Sequence, residues 1–65
     1  MLIRMVNYYE ETETTFYNAR ITVKSGKELN KHGLRLKSTH YYYVVLTNIE
    51  NHYFDTKDWF VSLKQ

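Results

Sequence analysis

The stretch His40-Tyr-Tyr-Tyr-Val-Val-Leu-Thr-Asn48 decides the fold class of this chain. Aromatic and β-branched residues crowd it, and no Gly, Pro or formal charge interrupts Tyr41 to Leu46. That is strand composition. Successive side chains of a strand point to opposite sides. Tyr42, Val44 and Leu46 therefore share one face, and Tyr41, Tyr43, Val45 and Thr47 share the other. Both faces are apolar or aromatic. A chain of this size buries only about 60% of its unfolded surface, so the surplus tyrosines are expected to form a contact surface. The same uncharged segment is the expected aggregation site if the fold opens.

Upstream, Leu34 and Leu36 alternate with Arg35 and Lys37, a short strand with a basic outer side. Ser38-Thr39 is a turn. Ser25-Gly-Lys-Glu28 matches a capping box, in which the Ser hydroxyl accepts from the Glu amide and the carboxylate reaches back to the Ser amide. Gly33 stands where a C-cap glycine would, with Leu34 placed to close onto Leu29. A two-turn helix over residues 26–32 is expected between these caps. Phe16 to Lys24 has the cleanest alternation in the chain: Tyr17, Ala19, Ile21 and Val23 inward, Asn18, Arg20, Thr22 and Lys24 outward. Met1 to Tyr9 is a first strand with irregular alternation, where a bulge would switch faces. Glu10 to Thr15 lacks apolar residues and is an exposed connection, so the first two strands are expected to form a hairpin.

Downstream, Asn48 to Asn51 is a turn and His52 to Asp55 a short strand. Asp55 or Thr56 then caps a helical turn, Lys57 to Val61, that brings Trp59, with Phe60 or Leu63, onto the body. The expected class is mainly β (α+β), one small domain over residues 1–65. The expected core is drawn from Ile3 and Met5, the inward Phe16–Lys24 side chains, Leu29, Leu34 and Leu36, the Tyr42–Val44–Leu46 face, and Phe54, Trp59 and Leu63.

The strand Tyr43-Val-Val-Leu46, the turn Asn48 to Asn51, the aromatic strand His52-Tyr-Phe54 and the capped turn with Trp59 and Leu63 resemble the C-terminal half of small SH3-like β-barrels. Many such short proteins are encoded by phages. They often carry a segment like Ile21-Thr-Val-Lys-Ser-Gly-Lys-Glu28 before the central strand. The resemblance covers residues 21 to 63 and is one of pattern. It departs in lacking glycine between Asn48 and Asn51, although Asn tolerates positive φ. It implies an SH3-like barrel, with a five-stranded antiparallel sheet as the other arrangement. It also implies a binding module acting on a host protein or complex in the host cytoplasm. Function on such folds sits in the surface.

Composition narrows the chemistry. The 65 residues contain no cysteine, so there is no disulfide framework and no thiolate zinc site. Seven Tyr, three Phe and one Trp supply the apolar mass instead. No apolar run is long enough for a signal peptide or a membrane span, which makes the cytoplasm the default location. Nine basic against seven acidic residues leave a net charge of +2, too little for a dedicated phosphate binder. Three of the acids, Glu10, Glu11 and Glu13, fall together in one connection.

His32, His40 and His52 stand beside turns without chelate spacing, so no metal is expected. Ser25, Ser38 and Ser62 are cap or turn residues. Asp55 and Asp58 complement the start of a helical turn. No catalytic residue and no cofactor are expected. Tyr and Arg dominate interface hot spots. The expected protein-binding residues are Tyr8, Phe16, Arg20, Arg35, Tyr41, Tyr43 and Tyr53, and a homodimer would use the same tyrosines. Glu10, Glu11 and Glu13 would imitate nucleic-acid charge toward a basic groove. The alternative function is nucleic-acid binding, with Arg20, Lys24, Arg35 and Lys37 beside Tyr41 and Tyr43.

Overall fold

The computed structural model describes residues 2–64, with side chains through Ser62. The chain is mainly β. Six strands, β1 (Leu2–Asn7), β2 (Glu13–Phe16), β3 (Arg20–Ser25), β4 (Tyr41–Leu46), β5 (Asn51–Asp55) and β6 (Trp59–Lys64), are joined by one helix, α1 (Gly26–Asn30), between β3 and β4. They form two antiparallel three-stranded sheets, ordered β2-β1-β6 and β3-β4-β5. These replace the single five-stranded sheet.

The chain crosses between the sheets at two places, and each corrects an expectation. The supposed strand Phe16 to Lys24 is broken at residues 17–19, where Asn18 adopts φ 55°. Asn accepts this left-handed backbone more readily than most residues. The break sends β2 to β1 and β3 to β4. The expected hairpin therefore forms, but with β2 starting inside the acidic connection. The break also turns Tyr17 out of the core, leaving it 74% exposed, while Ala19 is fully packed. Val23, on the edge strand β3, is 52% exposed. Both had been expected inside.

The second crossing is the turn at residues 56–58. Asp55 does cap it: its Oδ1 accepts from the Lys57 amide at 2.9 Å, and its C=O accepts from the Asp58 amide at 3.0 Å. The helical continuation to Val61 is absent, because Trp59–Lys64 is a strand. It pairs along β1, with Asn7 opposite Trp59 and Met5 opposite Val61. A partner more than fifty residues away in sequence outcompetes a local turn. Leu63, expected in the core, has its side chain outside the described residues.

β1 needs no bulge. Ile3, Met5 and Asn7 all point inward. Asn7 then shapes the hairpin: its Oδ1 accepts from the amides of Tyr9 (2.8 Å) and Glu10 (2.9 Å), and Glu11 follows at φ 55°. Ile3, Met5, Ala19 and Val45 form the core between the sheets, lined by an aromatic series. Phe16 lies 4.7 Å from His52 and 5.9 Å from Phe54, which in turn lies 4.8 Å from Trp59.

A second, smaller cluster lies on the outer side of β4: Tyr42, Val44 and Leu29, with Leu34, Leu36, Leu46 and Tyr53 against them. α1 is anchored here. Ser25 caps it by accepting from the Glu28 amide at 3.1 Å. The Glu28 carboxylate bonds Lys24 Nζ at 2.9 Å and does not reach back to Ser25. The helix is shorter than expected, because residues 31–33 form a turn that Gly33 (φ 92°) completes. Leu34 does close onto Leu29. The segment 34–37 is not a strand. The Asn30 side chain holds it by bonding both the amide (2.7 Å) and the C=O (2.8 Å) of Leu36, while the Lys37 amide donates to Tyr42 Oη at 3.0 Å. Gly26 packs so tightly under this segment that a Cβ there would lie 2.0 Å from Lys37 O.

Candidate functional site on the outer face of the second sheet

Cross-strand partners put three rows of side chains on the outer face of β3-β4-β5: Arg20, Leu46 and Asn51; Thr22, Val44 and Tyr53; Lys24, Tyr42 and Asp55. α1 and the following turn cover only one side of these rows. An open groove of about 480 Å³ remains, with Leu29, Leu34, Val44, Leu46 and Tyr53 as its floor and Thr22, Lys24, His32 and Asn51 at its margins. That volume lies in the range of ligand-binding clefts, about 300–1,000 Å³, and so does the mix of apolar floor and few polar groups.

The segment that supplies Thr22 to Leu34 of the lining is basic. Residues 20–37 hold six of the nine Lys and Arg residues (Arg20, Lys24, Lys27, Lys31, Arg35, Lys37) and one of the seven acids, Glu28. All six cations are exposed. Glu28 offsets only one of them, Lys24, to which it is tied at 2.9 Å. Its carboxyl sits below the ordinary Glu value through that hydrogen bond, then the Lys24 charge, with His32 and Lys31 adding to it against slight desolvation. The remaining six acids and three bases leave the rest of the molecule net negative. This segregation along the fold is invisible in the total of +2.

At the far end of the same face, His40 Nδ1 lies 2.6 Å from Asp55 Oδ2, both side chains mostly covered. Burial pushes the Asp55 carboxyl up. The His40 hydrogen bond, the Lys57 amide and the charges of His40 and Lys37 outweigh it, so the carboxyl ends below its ordinary value. The pair joins the start of β4 to the end of β5, reinforced by the Thr56 amide and hydroxyl, which both donate to Tyr41 O at 3.0 Å.

The residues expected to bind a partner do not share one surface. Arg20 and Tyr53 belong to the groove face, and Arg35 is exposed between Leu34 and Leu36 beside it. Tyr8 is exposed in the turn after β1, its ring tilted against Phe60 at a centroid distance of 4.9 Å, with Tyr9 at its edge. Tyr41 is 60% exposed, at the end of β4, on the opposite face from Arg20 and Lys24. Phe16 and Tyr43 are partly buried and pack against the core between the sheets. Of the tyrosine run, Tyr42 is buried and Tyr41 exposed as expected, whereas Tyr43 packs against the core between the sheets. Glu10, Glu11 and Glu13 are exposed, with Glu13 on β2 at 3.9 Å from Arg4. The groove itself was missed. Its signal in the sequence was the basic run 20–37 interleaved with Leu29, Leu34 and Leu36.

The three histidines are dispersed: His32 at the groove, His40 on Asp55, and His52 at 3.5 Å from Glu50. Among the described residues no three potential metal ligands converge, and no helix is long and apolar enough to cross a membrane. No protein-family model, no curated protein and no solved structure matches the chain significantly.

Proposed function

We propose that this chain is a non-enzymatic protein-binding module that works by occupying its partner's surface, and that the groove face of β3-β4-β5 is where it binds. The observation that carries this is an apolar groove inside the one strongly basic region of the molecule. Apolar floor supplies contact area, and surrounding cations select an acidic surface and speed encounter. The strand order supports an SH3-like barrel: β1 pairs with the last strand, the chain passes from one sheet to the other through a kink, and a tight turn precedes the last strand. With the resemblance to phage-type barrels, this makes a host enzyme or defence complex the partner class, and the host cytoplasm the place of action.

The test is capture from bacterial lysate, after nuclease treatment and at moderate salt, by wild type and by Thr22→Glu. Thr22 is exposed at the groove margin, so its substitution reverses local charge without disturbing the core. A stoichiometric protein held by wild type and released by Thr22→Glu supports this function. The same basic face is also what favours the nucleic-acid alternative. Bound material that is lost on nuclease treatment, with affinity falling steeply with salt, decides for that alternative.

A further inference from the structure

Resting on the groove as the binding site, we infer that its occupant is an extended acidic segment of a partner protein that adds as a strand to the free edge of β5. Hydrogen bonds at the two ends of the β4/β5 ladder set which backbone groups face that edge. Thr47 N–H donates to Glu50 O at 3.1 Å, and Thr56 N–H donates to Tyr41 O at 3.0 Å. Antiparallel pairs alternate between bonded and non-bonded. The bonded pairs between these ends are therefore Val45 with His52 and Tyr43 with Phe54. Asn51, Tyr53 and Asp55 then turn their N–H and C=O groups away from β4. The Asp55 C=O is taken by the Asp58 amide. Among the described residues no strand lies beyond β5, and no turn bond reaches the backbone of Asn51 or Tyr53.

The side chains of Asn51 and Tyr53 are also the ones that line the groove. A strand laid on this edge would thus send alternate side chains onto the groove face. Natural edges are usually guarded by charge, proline or a bulge. β2 carries exposed Glu13, and β3 carries exposed Arg20 and Lys24. β5 has none of these guards. Its one formal charge, Asp55, is engaged by His40. β6 lacks an adjoining groove, since none of its residues line it.

Charge complementarity makes the incoming segment acidic, because Arg20 and Lys24 share the face it would cover and, among the described ion pairs, only Lys24 of the two has an acidic partner, Glu28. The aliphatic floor, with Tyr53 as its single aromatic ring, offers no series of stacking platforms for bases. A polynucleotide also has no alternating N–H and C=O to pair with the edge. Strand addition of this kind takes affinity from the main chain and specificity from alternate side chains.

The experiment uses the intact protein, isotope-labelled, titrated with a blocked Leu-Glu peptide about six residues long, Leu-Thr-Glu-Thr-Leu-Thr, whose alternate positions put both Leu and Glu on the groove face. Expected are shifts of the Asn51, Tyr53 and Asp55 amides and about tenfold slower hydrogen exchange at Asn51 and Tyr53. N-methylation of the peptide's pairing amides should abolish these effects. A Leu-Lys peptide should bind at least about tenfold more weakly. Binding that survives N-methylation, no response to the Leu-Glu peptide, or a groove response to oligo(dT) instead, each overturns the inference. If the peptide fails while Thr22→Glu still releases the captured protein, strand addition is wrong and the groove function stands.

Discussion

The two faces of β4 meet different neighbours. Inward, Val45 is fully enclosed by the opposing sheet, with Tyr43 packed beside it. Outward, Val44 and Tyr42 are covered by a helix of five residues and a loop, while Leu46 stays half-covered beside an open groove. One strand with nearly the same side chains on both faces therefore makes a closed core on one side and an open groove on the other. The difference is set by what lies opposite. A whole sheet closes its side, and a short helix cannot.

The largest effects should separate these sides. Ile3→Ala, in the closed core, is expected to cost about 2–5 kcal/mol. A fold of this size has only about 3–5 kcal/mol in total, so the variant should be largely unfolded in urea titrations followed by circular dichroism. Leu46→Ala, beside the groove, is expected to cost about 1–2 kcal/mol, since part of its surface is already in water. Equal costs would break the comparison.

What was legible in the sequence follows the same division. β4, β5, the turn between them and the Ser25 cap are local, and their residue types announce them. The 17–19 break rests on a single Asn and looks like continuous alternation until the sheets are assembled. β6 is similar: the Asp55 cap is local and visible, but the pairing of Trp59 with Asn7 is not, so the turn was extended into a helix. The groove was hidden because it forms only once β3, α1 with its following turn, β4 and β5 are assembled.

Gly26→Ala probes the cover of the outer face. The added Cβ would meet Lys37 O at 2.0 Å and Tyr42 Cε1 at 3.2 Å. Backbone must move, at an expected cost of about 1–3 kcal/mol. Amide spectra should shift for Leu34, Leu36 and Lys37 and not for Ile3 or Met5. Shifts in the inner core would mean that the two faces are not independent.

The His40–Asp55 pair ties the ends of β4 and β5 on the groove side. Asp55→Asn is expected to cost about 1–2 kcal/mol, since it removes a charge-assisted bond. The sign of the pH effect follows from the lowered Asp55 carboxyl. Its contribution is complete above the unfolded value, about 3.9, and is lost as pH falls through the lower folded value. Stability measured from pH 6 down to pH 2 should fall in the wild type below about pH 4, and fall less in Asp55→Asn. Equal slopes would locate the acid sensitivity in another carboxylate.

The smallest effect is the sharpest test of how the three tyrosines divide. Tyr41 is on the same face as Tyr43, yet it is the first residue of β4 and is 60% exposed. Tyr41→Ala should change stability by no more than about 0.5 kcal/mol, as exposed substitutions usually do. Tyr43→Ala should behave like Ile3→Ala, because its ring packs on the enclosed core. Capture of a protein partner should survive Tyr41→Ala, which lies off the groove face, and be lost with Thr22→Glu. The reverse pattern would move the binding surface to the exposed end of β4 and leave the groove as a gap in the cover of a small second core.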